Sequence, residues 1–165
     1  MADKTLDTLF HETLRDIYYA EKKLLAALRK LARGASDAEL KQAFTAHREE
    51  TETHIERLQQ VFDMIGKPAR GKTCDAIDGI TAEADAVMEE FKGQPALDAA
   101  ILAAAQAAEH YEISRYGSLI AWAEALGMNE AAELMGQTLA EEKAADQKLT
   151  ALATSALNTA AKAAA

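Results

Sequence analysis

Four glutamates, one near the middle of each of four long helical patterns, fall on stripes that otherwise carry apolar residues. Residues three or four positions apart share one face of a helix, so these stripes predict the side chains that face the core. Burying an unpaired carboxylate costs roughly several kcal/mol even after relaxation, and four converging carboxylates also repel one another. We therefore expect them to keep protons, to pair with cations or to bind a metal. The four are Glu21, Glu50, Glu112 and Glu142.

Three more titratable side chains lie on the same faces, each three or four positions from one of these glutamates. In dinuclear iron and manganese bundles, a Glu from each of two helices joins a Glu and a nearby His from each of the other two. The sequence predicts the same kind of metal site. The predicted ligands are Glu21 and Glu112 singly, Glu50 paired with His54, Glu142 paired with Asp146, and Glu109 as an additional ligand.

The types of donor atom bear on which metal would bind. An oxygen-rich set with one imidazole suits iron or manganese, although carboxylates and water also suit magnesium and calcium. The first hypothesis is a dinuclear metal protein, with iron as the expected metal and manganese as the alternative. Such a pair of ions would reduce O₂ or peroxide, and the protein would then be a di-iron oxidoreductase with ferroxidase-like activity.

A metal-free polar core is the alternative interpretation of the same stripes. The inward glutamates would then be protonated, or would pair with Arg115 and lysine side chains. The bundle would serve as a non-catalytic structural or interaction protein. Two histidines are expected to be peripheral in either case: His47 at a half-exposed position or as a partner that orients Glu50, and His110 at the surface.

The chain divides into two similar helix pairs. In each pair the second helix carries the pattern Glu-Glu-x-x-x-(His or Asp), as "EETETH" at 49–54 and "EEKAAD" at 141–146. Two antiparallel pairs joined by one long crossover is the connectivity of ferritin-like four-helix bundles, so we predict this all-α fold. Glycine, proline and capping signals place the helices over about 5–32, 36–65, 95–126 and from 129 onward, the crossover over about 66–95 with a helical piece at 74–91, and a fraying Ala-rich tail over about 156–165.

Length and composition exclude several classes of protein. The 165 residues suit a single domain over 1–165, and the net charge of −9 gives no electrostatic footprint for nucleic acid or anionic lipid. There is no apolar run of about 18 residues to predict a membrane span. The single cysteine, Cys74, fits a reducing cytosol, and the first residues carry no export signal. We therefore expect a cytoplasmic protein without membrane or nucleic-acid partners.

Several segments together resemble the YciE/YciF family of bacterial ferritin-like proteins. They are "LRDIYYAEKKLLAAL", "HREETETHIERL", "CDAIDG", "AAEHYEISRYGSL" and "LAEEKAADQKL", and the resemblance covers about residues 5–155. It implies a ferritin-like bundle with an extra crossover helix, a homodimer, a link to the stress response, and kinship with rubrerythrins and similar di-iron proteins. Against the broader ferritin-like pattern, Glu50-x-x-x-His54 replaces Glu-x-x-His, and Asp146 stands where a second His is expected.

Overall fold

The chain folds into two helix hairpins joined by a long crossover, and its helices lie close to the predicted ones. The computed structural model describes residues 4–163. The helices are α1 (Leu6–Gly34), α2 (Ala38–Met64), α3 (Asp75–Glu90), α4 (Leu97–Ala125), α5 (Asn129–Leu152) and α6 (Asn158–Ala163), with one π-helical turn at Ala153–Leu157.

Helices α1, α2, α4 and α5 form a four-helix bundle. Helix α1 packs against α2 and α4, and α5 packs against the same two helices from the opposite corner. The end of α1 meets the start of α4, because Asp98 accepts hydrogen bonds from the turn between α1 and α2. Helix α3 lies in the crossover and packs mainly on α4. This connectivity confirms the predicted all-α, ferritin-like bundle with a crossover helix.

Local sequence signals explain where two of the hairpin helices begin or end. The side chain of Asp37 caps α2 by accepting a hydrogen bond of 2.9 Å from the backbone N–H of Leu40. Gly66 and Gly127 follow α2 and α4 with φ angles of 63° and 74°, a region that favours glycine. Each glycine therefore turns the chain out of its helix.

Two helix ends differ from what their residue types favour. Asparagine favours the cap position before a helix, but Asn129 is the first residue of α5, and no side-chain hydrogen bond caps that helix. Glycine favours the position just after a helix, but Gly34 is the last residue of α1, and its φ is not positive. A Cβ at Gly34 would overlap the end of the Met88 side chain. The glycine therefore allows α3 to pack closely on α1, rather than reversing the backbone.

The end of the described chain is helical. The π-helical turn leads into α6, and Leu157 within that turn is buried against the apolar core. The predicted fraying tail spans about 156–165, and residues 164 and 165 lie outside the part that the structure describes. None of the helices in residues 4–163 combines the length and the apolar character that a membrane span requires.

Two apolar clusters fill the bundle, one on each side of a polar layer. The first includes Phe10, Leu14, Ile17, Leu58, Phe62, Tyr116, Leu119 and Met135, and the second includes Leu28, Leu31, Leu40, Phe44, Ile101, Leu102 and Leu149. Along every bundle helix, the buried polar residues fall close to where one cluster gives way to the other. The clusters therefore hold the polar layer near the middle of the bundle and shield it from water.

Asp98 fastens the turn between α1 and α2 to the start of α4. Its carboxylate accepts hydrogen bonds from the backbone N–H groups of Ser36 at 2.7 Å and Asp37 at 2.9 Å. We expect Asp98→Ala to lower the free energy of unfolding in urea by about 1–3 kcal/mol, because the change leaves two N–H groups without their charged acceptor. The control is Asp85→Ala, which removes an exposed 2.6 Å ion pair with Lys30 and should cost less than about 1 kcal/mol. Equal losses in the two variants would contradict the role of Asp98.

Candidate metal centre

Six polar side chains meet in the layer between the two apolar clusters. They come from all four bundle helices, and each residue is at most 7% exposed. Helix α2 supplies two histidines seven positions apart, a spacing that returns to the same face after two turns. Helix α4 supplies two glutamates three positions apart, which also share a face. The six are Glu21, His47, His54, Glu109, Glu112 and Glu142.

Four of these side chains form one group of possible metal donors. His47, Glu109, Glu112 and Glu142 each offer one atom, and the four atoms lie within 4.8 Å of one another. The Nε2 of His47 is 3.2 Å from Oε1 of Glu109 and 3.2 Å from Oε2 of Glu142. The spacing allows a single cation to contact all four donors.

A second group lies beside the first and contains Glu21, His54 and Glu142. The Nδ1 of His54 is 2.9 Å from Oε1 of Glu142 and 3.6 Å from Oε1 of Glu21. Tyr116 donates a short hydrogen bond from its hydroxyl to Oε1 of Glu21, which fixes the orientation of that carboxylate. The other oxygen of Glu21, Oε2, is buried without a hydrogen-bond partner in the described chain.

Glu142 belongs to both groups, and its two oxygens face different histidines. Both oxygens are buried, and imidazole nitrogens approach them to 2.9 and 3.2 Å without hydrogen-bond geometry. Glu142 could therefore contribute one donor oxygen to each of the two groups.

Each histidine directs its other ring nitrogen to a carboxylate outside the layer. The Nδ1 of His47 is 3.0 Å from Oε2 of Glu50, and the Nε2 of His54 is 2.8 Å from Oε2 of Glu141. Arg57 holds Glu141 through two hydrogen bonds of 2.6 and 3.0 Å. A carboxylate that accepts from one ring nitrogen leaves the opposite nitrogen turned inward, as in histidines that bind metals.

The two histidines are strongly coupled to the carboxylates around them. Burial alone would lower the pKa of each imidazole, but close contacts with the negatively charged glutamates raise the pKa of His54 to about 10 and that of His47 well above its ordinary value. Burial would raise the pKa of Glu142, yet His47 and His54 hold it well below its usual range. In the metal-free protein at neutral pH, both imidazoles are therefore protonated and Glu142 is ionised.

The two glutamates of α4 respond in the opposite way. Burial raises the pKa of Glu109 to about 8, although His47 opposes the shift. Burial, together with repulsion from neighbouring carboxylates, raises the pKa of Glu112 well above its ordinary value. At neutral pH, Glu112 and most copies of Glu109 thus hold a proton in the metal-free protein, and these protons would have to leave before the carboxylates bind a cation.

The structure brings together five of the seven ligands predicted from the sequence and leaves two outside both donor groups. Glu50 lies at the edge of the buried face, with its side chain 48% exposed, because that face runs through His47, Thr51 and His54. Asp146 is 20% exposed and faces away from the centre, toward His110 at 3.1 Å. The five that meet are Glu21, His54, Glu109, Glu112 and Glu142.

Sequence reasoning missed His47 as a candidate donor. The structure buries this side chain and reverses the expected relation, because Glu50 orients His47 and not the other way round. Its position seven residues before His54 was the signal that could have identified it.

His110 is exposed at 68%, as predicted. Arg115 does not enter the layer; its guanidinium lies 5.2 Å from the ring centre of Tyr111.

The fold and the site together define a class of protein, namely ferritin-like helical bundles with a buried layer of carboxylates and histidines. The chain belongs to the family described as Domain of unknown function (DUF892), whose model matches residues 5–162. It is 47% identical over 156 residues, or 94% of each sequence, to Protein YciF of Escherichia coli (strain K12). These matches confirm the resemblance to the YciE/YciF family.

Two solved structures are similar along most of the chain. The crystal structure of the E. coli stress protein YciF has a TM-score of 0.90 and 46% sequence identity, covering 94% of this chain and 99% of that one. YcfI from Rhodopseudomonas palustris, described as a suggested structural protein, has a TM-score of 0.86 and 49% identity, covering 88% of this chain and 93% of that one. The chain is therefore a homologue of a bacterial stress protein.

Proposed function

We propose that this chain is a stress-associated ferritin-like protein that binds a dinuclear metal centre in its polar layer, with iron as the expected metal and manganese as the alternative. The observation that carries the proposal is the position of Glu142. Its two buried oxygens lack hydrogen-bond partners in the described chain, and each faces the inward nitrogen of a different histidine. The stress association rests on homology to YciF of E. coli.

The donor set supports two cations that share one carboxylate. His47, Glu109 and Glu112 would hold one ion, Glu21 and His54 the other, with Glu142 contacting both. Four carboxylates and two imidazoles are donors that suit Fe²⁺ or Mn²⁺. Iron bound there would supply the electrons for reducing O₂ or peroxide.

The surrounding residues prepare these donors and protect them. Glu50 and Glu141 accept hydrogen bonds from the outer ring nitrogens of the histidines, so that the inner nitrogens face the layer. Tyr116 holds Glu21 in place, and burial with the adjacent carboxylates raises the pKa of its hydroxyl well above the usual value, so the hydroxyl keeps its proton. The apolar clusters on both sides exclude water and strengthen electrostatic interactions inside the layer.

A non-catalytic structural or interaction protein with a metal-free core is the second candidate. The observation that favours it is that protonated histidines and protonated glutamates reduce the charge of the layer without any ion. Arginine and lysine of the described chain do not neutralise this layer. Among the described residues, the carboxylates of the layer form ion pairs with His47 and His54 and with no arginine or lysine.

Titration of the metal-free protein with Mn²⁺ separates the two candidates. Free Mn²⁺ is followed by electron paramagnetic resonance under anaerobic conditions, and Fe²⁺ is tested in parallel by its absorbance after exposure to air. We expect saturation at about two ions per chain, as in dinuclear carboxylate bundles. A protein that binds neither metal at concentrations of up to roughly 1 mM would support the metal-free candidate.

Metal binding should release protons. At pH 7 the metal-free layer holds protons on both histidines, on Glu112 and on most copies of Glu109, and a cation displaces them. The apparent affinity should therefore fall as the pH is lowered. Calorimetric titration with Mn²⁺ in two buffers of different ionisation enthalpy measures the number of protons released. Identical heats in both buffers would contradict this prediction.

The expected homodimer and cytoplasmic location stay predictions. They are supported by the family resemblance and, for the location, by the single cysteine of the chain. Sedimentation of the purified full chain would test the oligomeric state directly.

A further inference from the structure

A cavity between α2 and α5 connects the four-donor group with the surface. Its volume is about 120 Å³, and its wall is formed largely by small side chains such as Ala145. The buried residues His47 and Glu109 lie at its inner end, and the exposed residues Glu50 and Lys148 lie at its mouth. The Oε2 atom of Glu109 is buried without a hydrogen-bond partner in the described chain, so a polar atom that lacks a partner lies next to the cavity.

Another cavity reaches the same donor group from the side of α1 and α4, but it is much smaller. It has about 20 Å³ and is lined by leucine and alanine side chains together with His47, Glu109 and Glu112. Such a volume accommodates about one water molecule, whereas the cavity between α2 and α5 accommodates several. Of these two cavities, the one between α2 and α5 therefore has room for a cation to exchange its water ligands stepwise, and the smaller one does not.

We propose that the cavity between α2 and α5 is the passage by which a divalent cation enters the centre. This inference rests on the proposed metal-binding function. Glu50 is the first protein ligand that the ion meets, because its carboxylate is half exposed and also lies 3.0 Å from the Nδ1 of His47. Glu109 and His47, at the inner end of the cavity, would then replace water ligands of the ion. Lys148 at the mouth slows this entry by repulsion, since it is a cation beside the path of another cation.

Two substitutions test the passage by charge and by size without altering a proposed ligand. Lys148→Glu reverses the charge at the mouth, and Lys143→Glu makes the same change at an exposed position of α5 that does not line the cavity. Ala145→Leu narrows the passage, and Ala140→Leu adds the same bulk at another exposed position of α5. Stopped-flow mixing of the metal-free full chain with Mn²⁺ and a chromophoric chelator reports the rate of uptake, and equilibrium titration reports the number of ions bound.

We expect Lys148→Glu to accelerate uptake by roughly threefold or more at low salt, with the difference shrinking in about 0.5 M salt. Ala145→Leu should slow uptake by about tenfold, because the ion must wait for the wall to open. Both variants should bind the same final number of ions as the unmodified chain. The two controls, Lys143→Glu and Ala140→Leu, should take up metal at the same rate as the unmodified chain.

Two results would overturn the inference, and they have different meanings. In the first, Lys148→Glu and Ala145→Leu both take up metal at the rate of the unmodified chain and bind the full number of ions at equilibrium. This result would show that the cavity is not the entry passage, and it would leave the proposed metal centre intact. Absence of uptake by the unmodified chain overturns the metal centre and the passage together. If circular dichroism shows that Ala145→Leu is unfolded, Lys148→Glu and its control decide the question alone.

Discussion

Replacing Glu142 with glutamine is expected to reduce metal binding from about two ions per chain to none at concentrations that saturate the unmodified protein. The substitution keeps the shape of the side chain but removes the charge that both donor groups share. The amide also presents an NH₂ group, which cannot be a ligand, toward one of the two histidines. Equilibrium titration with Mn²⁺ measures the loss.

Glu133→Gln is the matched control for this prediction. It makes the same chemical change on the same helix at an exposed position, and should leave both the number of ions and their affinity unchanged. Retention of two tightly bound ions by Glu142→Gln would show that this carboxylate does not bridge them. Loss of only one ion would place Glu142 in one donor group rather than both.

Metal binding is also expected to raise the thermal stability of the protein substantially. A ligand present at one hundred times its dissociation constant stabilises the folded state by about 2.7 kcal/mol for each site. For a domain of this size, about 1 kcal/mol corresponds to 2–4 °C in Tm, so saturating Mn²⁺ should raise Tm by roughly 5–10 °C through one site and by more through two. Calorimetry or circular dichroism of the metal-free chain with and without Mn²⁺ measures the shift.

The rise in Tm on adding Mn²⁺ should be absent from Glu142→Gln and present in Glu133→Gln. If Mn²⁺ leaves the Tm of the unmodified chain unchanged, the polar layer does not bind this ion in the folded state, and the metal-free candidate gains support. If Mn²⁺ stabilises the unmodified chain and Glu142→Gln equally, the ion binds somewhere other than at the shared carboxylate.

The fold was predictable because its signals are local and repeated. Stripes with spacings of three and four residues mark the helices, Gly66 and Gly127 end two of them, and a connection of about thirty residues is too long for a hairpin. The role of Gly34 was not predictable, because it depends on Met88 from the crossover helix. A contact between segments that are distant in the sequence cannot be predicted from the spacing of residues within one of them.

The candidate site was only partly predictable, for a physical reason visible on α2. After His47, the buried face can continue through position 50 or position 51, since both spacings are compatible with one side of a helix. Glu50 and Thr51 are both polar, so hydrophobicity does not decide between them. In the structure Thr51 is buried, at 1% exposure, and Glu50 lies at the edge of the buried face. With the helix turned this way about its axis, His47 faces the core.

The metal hypothesis does not depend on every predicted residue. Glu50 and Asp146 lie outside the donor groups, yet the layer gains His47, so it holds two imidazoles rather than one. Each donor group then contains one histidine, and one carboxylate lies between them. The two predicted pairs on single helices, Glu50 with His54 and Glu142 with Asp146, are replaced by contacts between helices, such as that from His54 on α2 to Glu142 on α5.

The most direct test of the central claim is anomalous X-ray diffraction from a crystal of the full chain soaked in Mn²⁺. We predict two anomalous peaks inside the bundle, one beside His47 and one beside His54, with the carboxylate of Glu142 between them. Peaks confined to surface carboxylates, with none in the polar layer of a folded bundle, would contradict the account.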